Sequence, residues 1–233
     1  WYFIRKGSIR LKLSKMKIVP RVAGRIVTLG MSSGVTQLVA CLMQIVMNNS
    51  LVLYGNQVST GGDVALSAMG IIMKLAMILA SICIGIGIGS QAIWGYNYGA
   101  GELERVHKIF SVTLKLTAGV MAAGMLFSWI LPHTLIGLFT TQESTVSIGV
   151  TALHYISFGF IVSAVSITVS GVLEGLGKGS QSLLVSLARY LIIIVPAAFL
   201  LSRIFGAKGV WMAFAIAEFI TAGFAYAVYR KAV

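Results

Sequence analysis

Glu218 is one of only six acidic residues in a chain of 233. It stands alone among charges in the apolar run 209–229. A carboxylate in such a place must be paired with a cation, hydrated or protonated, because an isolated buried charge is costly. Two chemistries follow: a structural ion pair, or a carrier of protons. Arg189 and Lys115 each lie about ten residues inside apolar runs of their own and are the candidate partners.

A second set of residues could bind rather than react. Gln37, Cys41, Gln44 and Asn48 recur at spacings of four, three and four, which places them on one face of a helix. Ser67, Gly70, Lys74, Met77 and Ser81 form a comparable stripe, and Gly159, Ser163, Ser166 and Ser170 a third. Amides and hydroxyls are unfavourable against lipid, so these faces look at protein or water. They either bond neighbouring helices together or line a shared cavity. On the second reading the cavity takes in Gln37, Gln44, Asn48, Met73, Lys74, Met77, Ser163 and Ser166. Methionine adapts to differently shaped ligands, which suits a pocket that is largely apolar with a few polar groups. A bound cation conflicts with Lys74, unless that side chain turns toward the cytoplasm or lipid or the ligands are anionic.

Other chemistries find little support. Gly85, Gly87 and Gly89 imitate a nucleotide-binding fingerprint, but Ser90 occupies the place of its third glycine and no strand precedes it. Ser81, Gly85 and Gly89 are spaced by four, a pattern for close helix packing. Cys41 and Cys83 sit in apolar stretches and give neither a disulfide framework nor, with any histidine, a metal site. His107, His133 and His154 form no nucleophile–base–acid arrangement. An intramembrane serine protease built on His154 is the remotest option. No cofactor is expected and the chain is read as a non-enzyme.

The elements that position these residues are membrane-spanning helices. Apolar residues make up 58% of the chain and charged residues 10%, and the mean hydropathy is +0.92. Soluble domains carry about 25% charged residues. Six stretches are long and apolar enough to cross a bilayer: about 26–54, 64–93, 106–131, 144–173, 181–201 and 208–229. The turns between them are short and glycine-rich, so 26–233 reads as one all-α, polytopic six-helix bundle. Pro196 is expected to kink the fifth span and free a carbonyl.

The net charge of +12 could signal a nucleic-acid partner, but its distribution points to lipid. Eight of the 18 Lys and Arg fall in residues 1–25, a basic cytoplasmic segment whose part 12–25 could lie along the membrane surface. With that segment in the cytoplasm, 13 basic residues fall on the cytoplasmic side, two on the other and three within spans. Both ends of the chain are then cytoplasmic, in a multi-pass protein of the cell membrane. The run Trp1-Tyr2-Phe3-Ile4 precedes the charges, which is not the order of a signal peptide. It resembles the interfacial end of a helix whose body lies upstream, so a fragment is expected.

The stretch GSQAIWGYNYGAGELERVHK, from Gly89 to Lys108, resembles the loop after the eighth helix of multidrug and toxic-compound extrusion (MATE) transporters. Asn97, Gly99, Ala100 and Arg105 carry the likeness. LEGLGKG from Leu173, with Arg189 and Pro196 downstream, resembles the same family, as do GVWMA from Gly209 leading to Ala217-Glu218 and LGMS from Leu29. The resemblance covers about residues 18–231. It implies the second lobe of a twelve-helix transporter that exports amphiphilic and cationic drugs in exchange for protons or sodium ions. Residues 1–25 would then connect the lobes, and the N-terminal six-helix half would be the partner. Some members carry acids in the seventh and tenth helices, where this chain has Ala40 and Ser163, so the coupling ion is expected in the other half. The alternatives are a lipid-linked oligosaccharide or peptidoglycan-precursor flippase, which calls for a strongly basic cavity, and a non-transporting structural or channel-like bundle.

Overall fold

A computed structural model of the chain describes residues 19–55 and 61–233. The basic segment up to residue 18 and the stretch 56–60 lie outside the described residues. The rest is helical, with no strand among the described residues. The helices are α1 (Pro20–Gly55), α2 (Gly62–Gly99), α3 (Leu103–Ile130), the short α4 (Pro132–Gly137), α5 (Glu143–Ser157), α6 (Phe160–Gly175), α7 (Gly179–Leu187), α8 (Val195–Phe205) and α9 (Ala207–Ala232). A π-helical segment, Ala188–Ile194, joins α7 to α8 without a break.

α2, α3, α9, the continuous Gly179–Phe205 rod and the Gly34–Tyr54 part of α1 are each long and apolar enough to span a bilayer. α5 and α6 make a sixth span when taken together, bent by 55°. The chain is therefore an all-α, multi-pass membrane bundle. Its outward faces carry residues that water would not tolerate in such number, among them Leu38, Ile78, Leu116, Ile192 and Phe219. Facing lipid, they satisfy the requirement that a spanning helix be apolar outside and hydrogen-bonded within.

Two departures from the expected helices matter. The span predicted at 144–173 is interrupted at Phe158–Gly159, where α5 ends and α6 begins. Ahead of Pro196, where a kink is predicted, the helix widens into the π segment Ala188–Ile194. Proline cannot donate to the carbonyl of Ile192, and a wider turn accommodates its ring. α1 runs unbroken from Pro20, so residues 20–25 continue directly into the first span.

Close packing is supplied by small residues, though not by the expected ones. A Cβ at Gly85 or Gly89 would meet nothing within 4 Å, and Ser81 is exposed. The seam lies on another face of α2. A Cβ on Gly175 would come within 3.1 Å of the Gln91 Cα, one on Gly95 within 3.0 Å of the Gly175 carbonyl oxygen, and one on Gly171 within 3.7 Å of the Gly87 Cα. α2 and α6 thus touch backbone to backbone, as dispersion-driven packing in a membrane favours. Hydroxyls join the same region: Thr117 Oγ1 lies 2.9 Å from Thr168 Oγ1 and Ser90 Oγ 3.2 Å from Thr113 Oγ1.

One end of the bundle gathers the α2–α3 turn, the α6–α7 turn and the end of α9. Gly177, at φ +72°, reverses the chain after α6, and the Lys178 N–H donates back to Leu173 O at 2.8 Å. This fixes Lys178, whose ammonium donates to Ala232 O and lies over the Tyr98 ring. His107 Nδ1 sits 2.7 Å from Tyr229 Oη at the same end. The start of α3, which bears Arg105, and the turn at Lys178 therefore lie on one side with the C-terminal pair Arg230 and Lys231.

Candidate functional site: two cavities and an interior ion pair

Glu218 faces inward from the middle of α9 and is 8% exposed. Its Oε1 accepts a hydrogen bond from Nη2 of Arg189, in the π segment. Only one other ion pair occurs among the described residues, Arg105 with Glu102 at 3.8 Å, and it is exposed. Lys115, the other cation considered for Glu218, is exposed on α3 and stands outside this pair. The contact is single-pronged. Glu218 Oε2 and Arg189 Nε are both buried and have no partner of their own.

Local backbone irregularity brings these groups together. At the α5–α6 bend, a Cβ on Gly159 would lie 3.1 Å from Glu218 Cγ and 3.3 Å from Ala215 Cα. Glycine at the bend lets the chain press directly against α9 beside the carboxylate. Trp129 braces the bend by donating from Nε1 to Ser157 Oγ at 3.1 Å, and its ring meets Phe158 edge-on. On the other side Arg189 sits in the widened turn, with its guanidinium 5.5 Å from the centre of the Tyr190 ring.

The pair borders a cavity of about 350 Å³ reaching from α1 to α9. Gln37, Gln44, Met73 and Ser163 line it, together with Cys41, Phe160, Phe214, Arg189 and Glu218. The wall is mostly apolar, with polar groups at a few points. A second cavity of about 290 Å³ lies toward the end that bears Lys178. Its lining includes Gln91, Ser166, Ser170, Glu174 and Ser186. Glu174 accepts from Ser182 Oγ at 3.1 Å and from Gln91 Nε2 at 3.4 Å. Ser166 Oγ is buried there without a partner.

The expected site residues thus divide. Gln37, Gln44, Met73 and Ser163 meet around the first cavity, whereas Ser166 belongs to the second. Asn48 lines neither and accepts from Gln44 Nε2 at 3.0 Å, one turn away. Lys74 and Met77 are exposed on α2 and line neither. Helical periodicity puts them on one stripe with Ser67, Gly70 and Ser81, but every member of that stripe is exposed, and the cavity takes the adjacent face of α2, which bears Met73, Ala76 and Ala80. Tyr190, Phe160, Phe214 and Glu174 carry no periodic polar signal and were not singled out.

Comparison with known proteins agrees with this architecture. A model of the MatE family matches residues 35–200. The multidrug export protein MepA of Staphylococcus saprophyticus is 23% identical over 222 residues, covering 95% of this chain and 47% of that protein. MepA of Staphylococcus aureus strain N315 is likewise 23% identical over 224 residues, with 95% and 47% covered. The chain spans about half the length of these relatives. An outward-facing multidrug resistance MATE family transporter of the MOP superfamily superposes with a TM-score of 0.89 at 18% identity, over 99% of this chain and 51% of that one. A MOP superfamily transporter from Pyrococcus furiosus gives 0.88 at 18% identity, over 99% and 52%. With its six-span bundle and a family match over most of its length, the chain belongs to the MatE family of membrane transporters.

Proposed function

We propose that this chain is the C-terminal half of a secondary active multidrug exporter. It exchanges small amphiphilic or cationic drugs for protons or sodium ions and converts none of them chemically. The first cavity carries the reading: it is large enough for a drug-sized molecule, mostly apolar, and polar at Gln37, Gln44, Ser163 and the Arg189–Glu218 pair. The names of the MepA relatives support the same substrate class. The partner is the other six-helix half, in which we place the coupling ion; residues 1–25 would connect the two. The gathering of the Arg105, Lys178 and Arg230 turns at one end supports a cytoplasmic location for both ends of this chain in the cell membrane.

The cavities favour this over flipping of a lipid-linked pyrophosphate. Of the three intramembrane basic residues, Lys74 and Lys115 are exposed away from both cavities. Arg189 alone among these faces them, and a carboxylate already engages it.

The test is efflux from cells making the intact transporter, measured with several structurally unrelated amphiphilic cations. Cells with it should retain less of several compounds than cells with the empty vector. Gln37→Ala and Gln44→Ala should each change the ranking of compounds by about two- to tenfold, the worth of one hydrogen bond, at unchanged protein level. Normal accumulation of the transporter without extrusion of any compound would overturn the reading.

A further inference from the structure

The second cavity carries a charge that no cation among the described residues neutralises. Glu174 stands on its wall, in the last turn of α6. Ser182 and Gln91 donate to its two oxygens, and both donors are neutral. They orient the carboxylate without cancelling it. Neither ion pair among the described residues includes Glu174. Lys178, four residues on, donates its ammonium to Ala232 O instead. Arg189 lines the cavity too, but it is bonded to Glu218, and that pair is neutral as a unit. The net charge of the cavity is therefore that of Glu174.

The rest of the lining suits a cation with a hydrocarbon body. Ser166 is 2% exposed, and its buried Oγ has no partner. A buried hydroxyl in that state calls for a group to bond. Ser170, one turn further along α6, lines the cavity as well. Gln91 uses its amide nitrogen on Glu174, which leaves its carbonyl oxygen as an acceptor. The remaining wall includes Ile84, Ile88 and Tyr190, and an aromatic ring adds attraction for a cation. About 290 Å³ is far more than a bare ion fills and suits a small organic molecule. No group of three or more His, Cys, Asp or Glu that could hold a metal ion occurs among the described residues.

We propose that the second cavity is a binding site of its own for a protonated alkylamine. The ammonium donates to Glu174 and to the hydroxyls of Ser166 and Ser170, and the hydrocarbon part lies along Ile84, Ile88 and Tyr190. Glu174 selects the charged amine over a neutral molecule of the same shape. The first cavity offers no such charge, since Arg189 and Glu218, the only charged residues on its wall, are paired with each other. The proposal rests on the exporter reading only in treating the amine as cargo.

Two positions report on the two cavities separately. Ile88 is exposed and lines the second alone, whereas Cys41 is exposed and lines the first alone. The purified intact transporter is prepared with either Ile88→Cys or the native Cys41 as its sole thiol. Alkylation by N-ethylmaleimide is then timed against increasing n-hexylammonium chloride. The amine should slow alkylation at Ile88→Cys and leave Cys41 unaffected. Glu174→Gln keeps an acceptor for Ser182 but loses the charge, and should raise the concentration for half-protection about tenfold. n-Hexanol should protect at least tenfold less well than the amine, and sodium chloride not at all; this comparison needs no change at Glu174. Equal protection by hexanol, or by the amine in Glu174→Gln, overturns the proposal. So does protection by sodium chloride, which assigns the site to an inorganic cation, and so does an absence of protection at Ile88→Cys. Protection at Cys41 that Glu174→Gln weakens as much as at Ile88→Cys overturns it as well, because the effect is then not local. If Ile88→Cys does not accumulate, Ile84→Cys, at another exposed position of the same wall, is read by the same criteria. No transport enters the measurement, so a site that binds no amine and an exporter that extrudes nothing are separate results.

Discussion

The α2–α3–α6 side of the bundle and the α1–α9 side solve the same problem in opposite ways. On the first side, long uninterrupted helices meet through glycine backbone and a chain of hydroxyls. Thr117 Oγ1 donates to Thr113 O at 3.0 Å and touches Thr168, and the Cys83 thiol donates to Thr117 O at 3.7 Å. The hydroxyls there satisfy one another, although Trp94 Nε1 on α2 is buried without a partner among the described residues. On the second side the helices are bent or widened, two cavities open, and Glu218 Oε2, Arg189 Nε and Ser166 Oγ lack partners. Buried polar groups without partners are unfavourable to the fold, and the carboxylate and guanidinium atoms so left among the described residues, Glu218 Oε2 and Arg189 Nε, both stand at a cavity. The seam brings backbone against backbone, and the other side leaves the cavities open.

The largest effect should come from breaking the ion pair. Glu218→Ala leaves a buried guanidinium unpaired and should lower stability by about 3 kcal/mol in a detergent unfolding measurement. Replacing both partners, Arg189→Met with Glu218→Leu, should recover most of that loss. A double variant as unstable as the single one would mean that the pair itself, and not the orphaned charge, supports the fold.

The seam should be nearly as sensitive, and sharply selective among glycines. Gly175→Val inserts atoms where the Gln91 backbone already stands and should cost about 1–3 kcal/mol. Gly85→Val, ten residues earlier than Gly95 on the same helix, meets nothing within 4 Å and should stay within about 0.5 kcal/mol. Equal losses at the two sites would erase the distinction between seam and outer face.

The smallest effects test the hydroxyls. Thr117→Val leaves Thr168 without its partner and should cost about 1 kcal/mol. Ser166→Ala removes a hydroxyl that has no partner and should leave the melting temperature unchanged. If Ser166→Ala proves the more harmful, the cavity side is not the loosely satisfied region described here.

Composition and periodicity disclosed the class of this protein because lipid imposes one rule on every residue of a span. Long apolar runs, a scarcity of charge and clustered Lys and Arg are one-dimensional signals, and they sufficed for six spans and for which turns share an end. Glu218 and Arg189 were legible for the same reason, since a charge inside an apolar run has few explanations. The order of the motifs from Gly89 to Glu218 added the family. Tertiary structure alone decided the rest. Whether Lys74 or Met73 meets a cavity depends on the rotation of α2 against its neighbours, and adjacent residues in a helix point about 100° apart. The choice of Arg189 over Lys115 as the partner of Glu218 required knowing which helices touch. So did the division of Ser163 and Ser166 between two cavities. The bend at Gly159 has no local signature, because a glycine in a membrane helix serves packing more often than interruption; only the close approach of α9 shows why a glycine stands there.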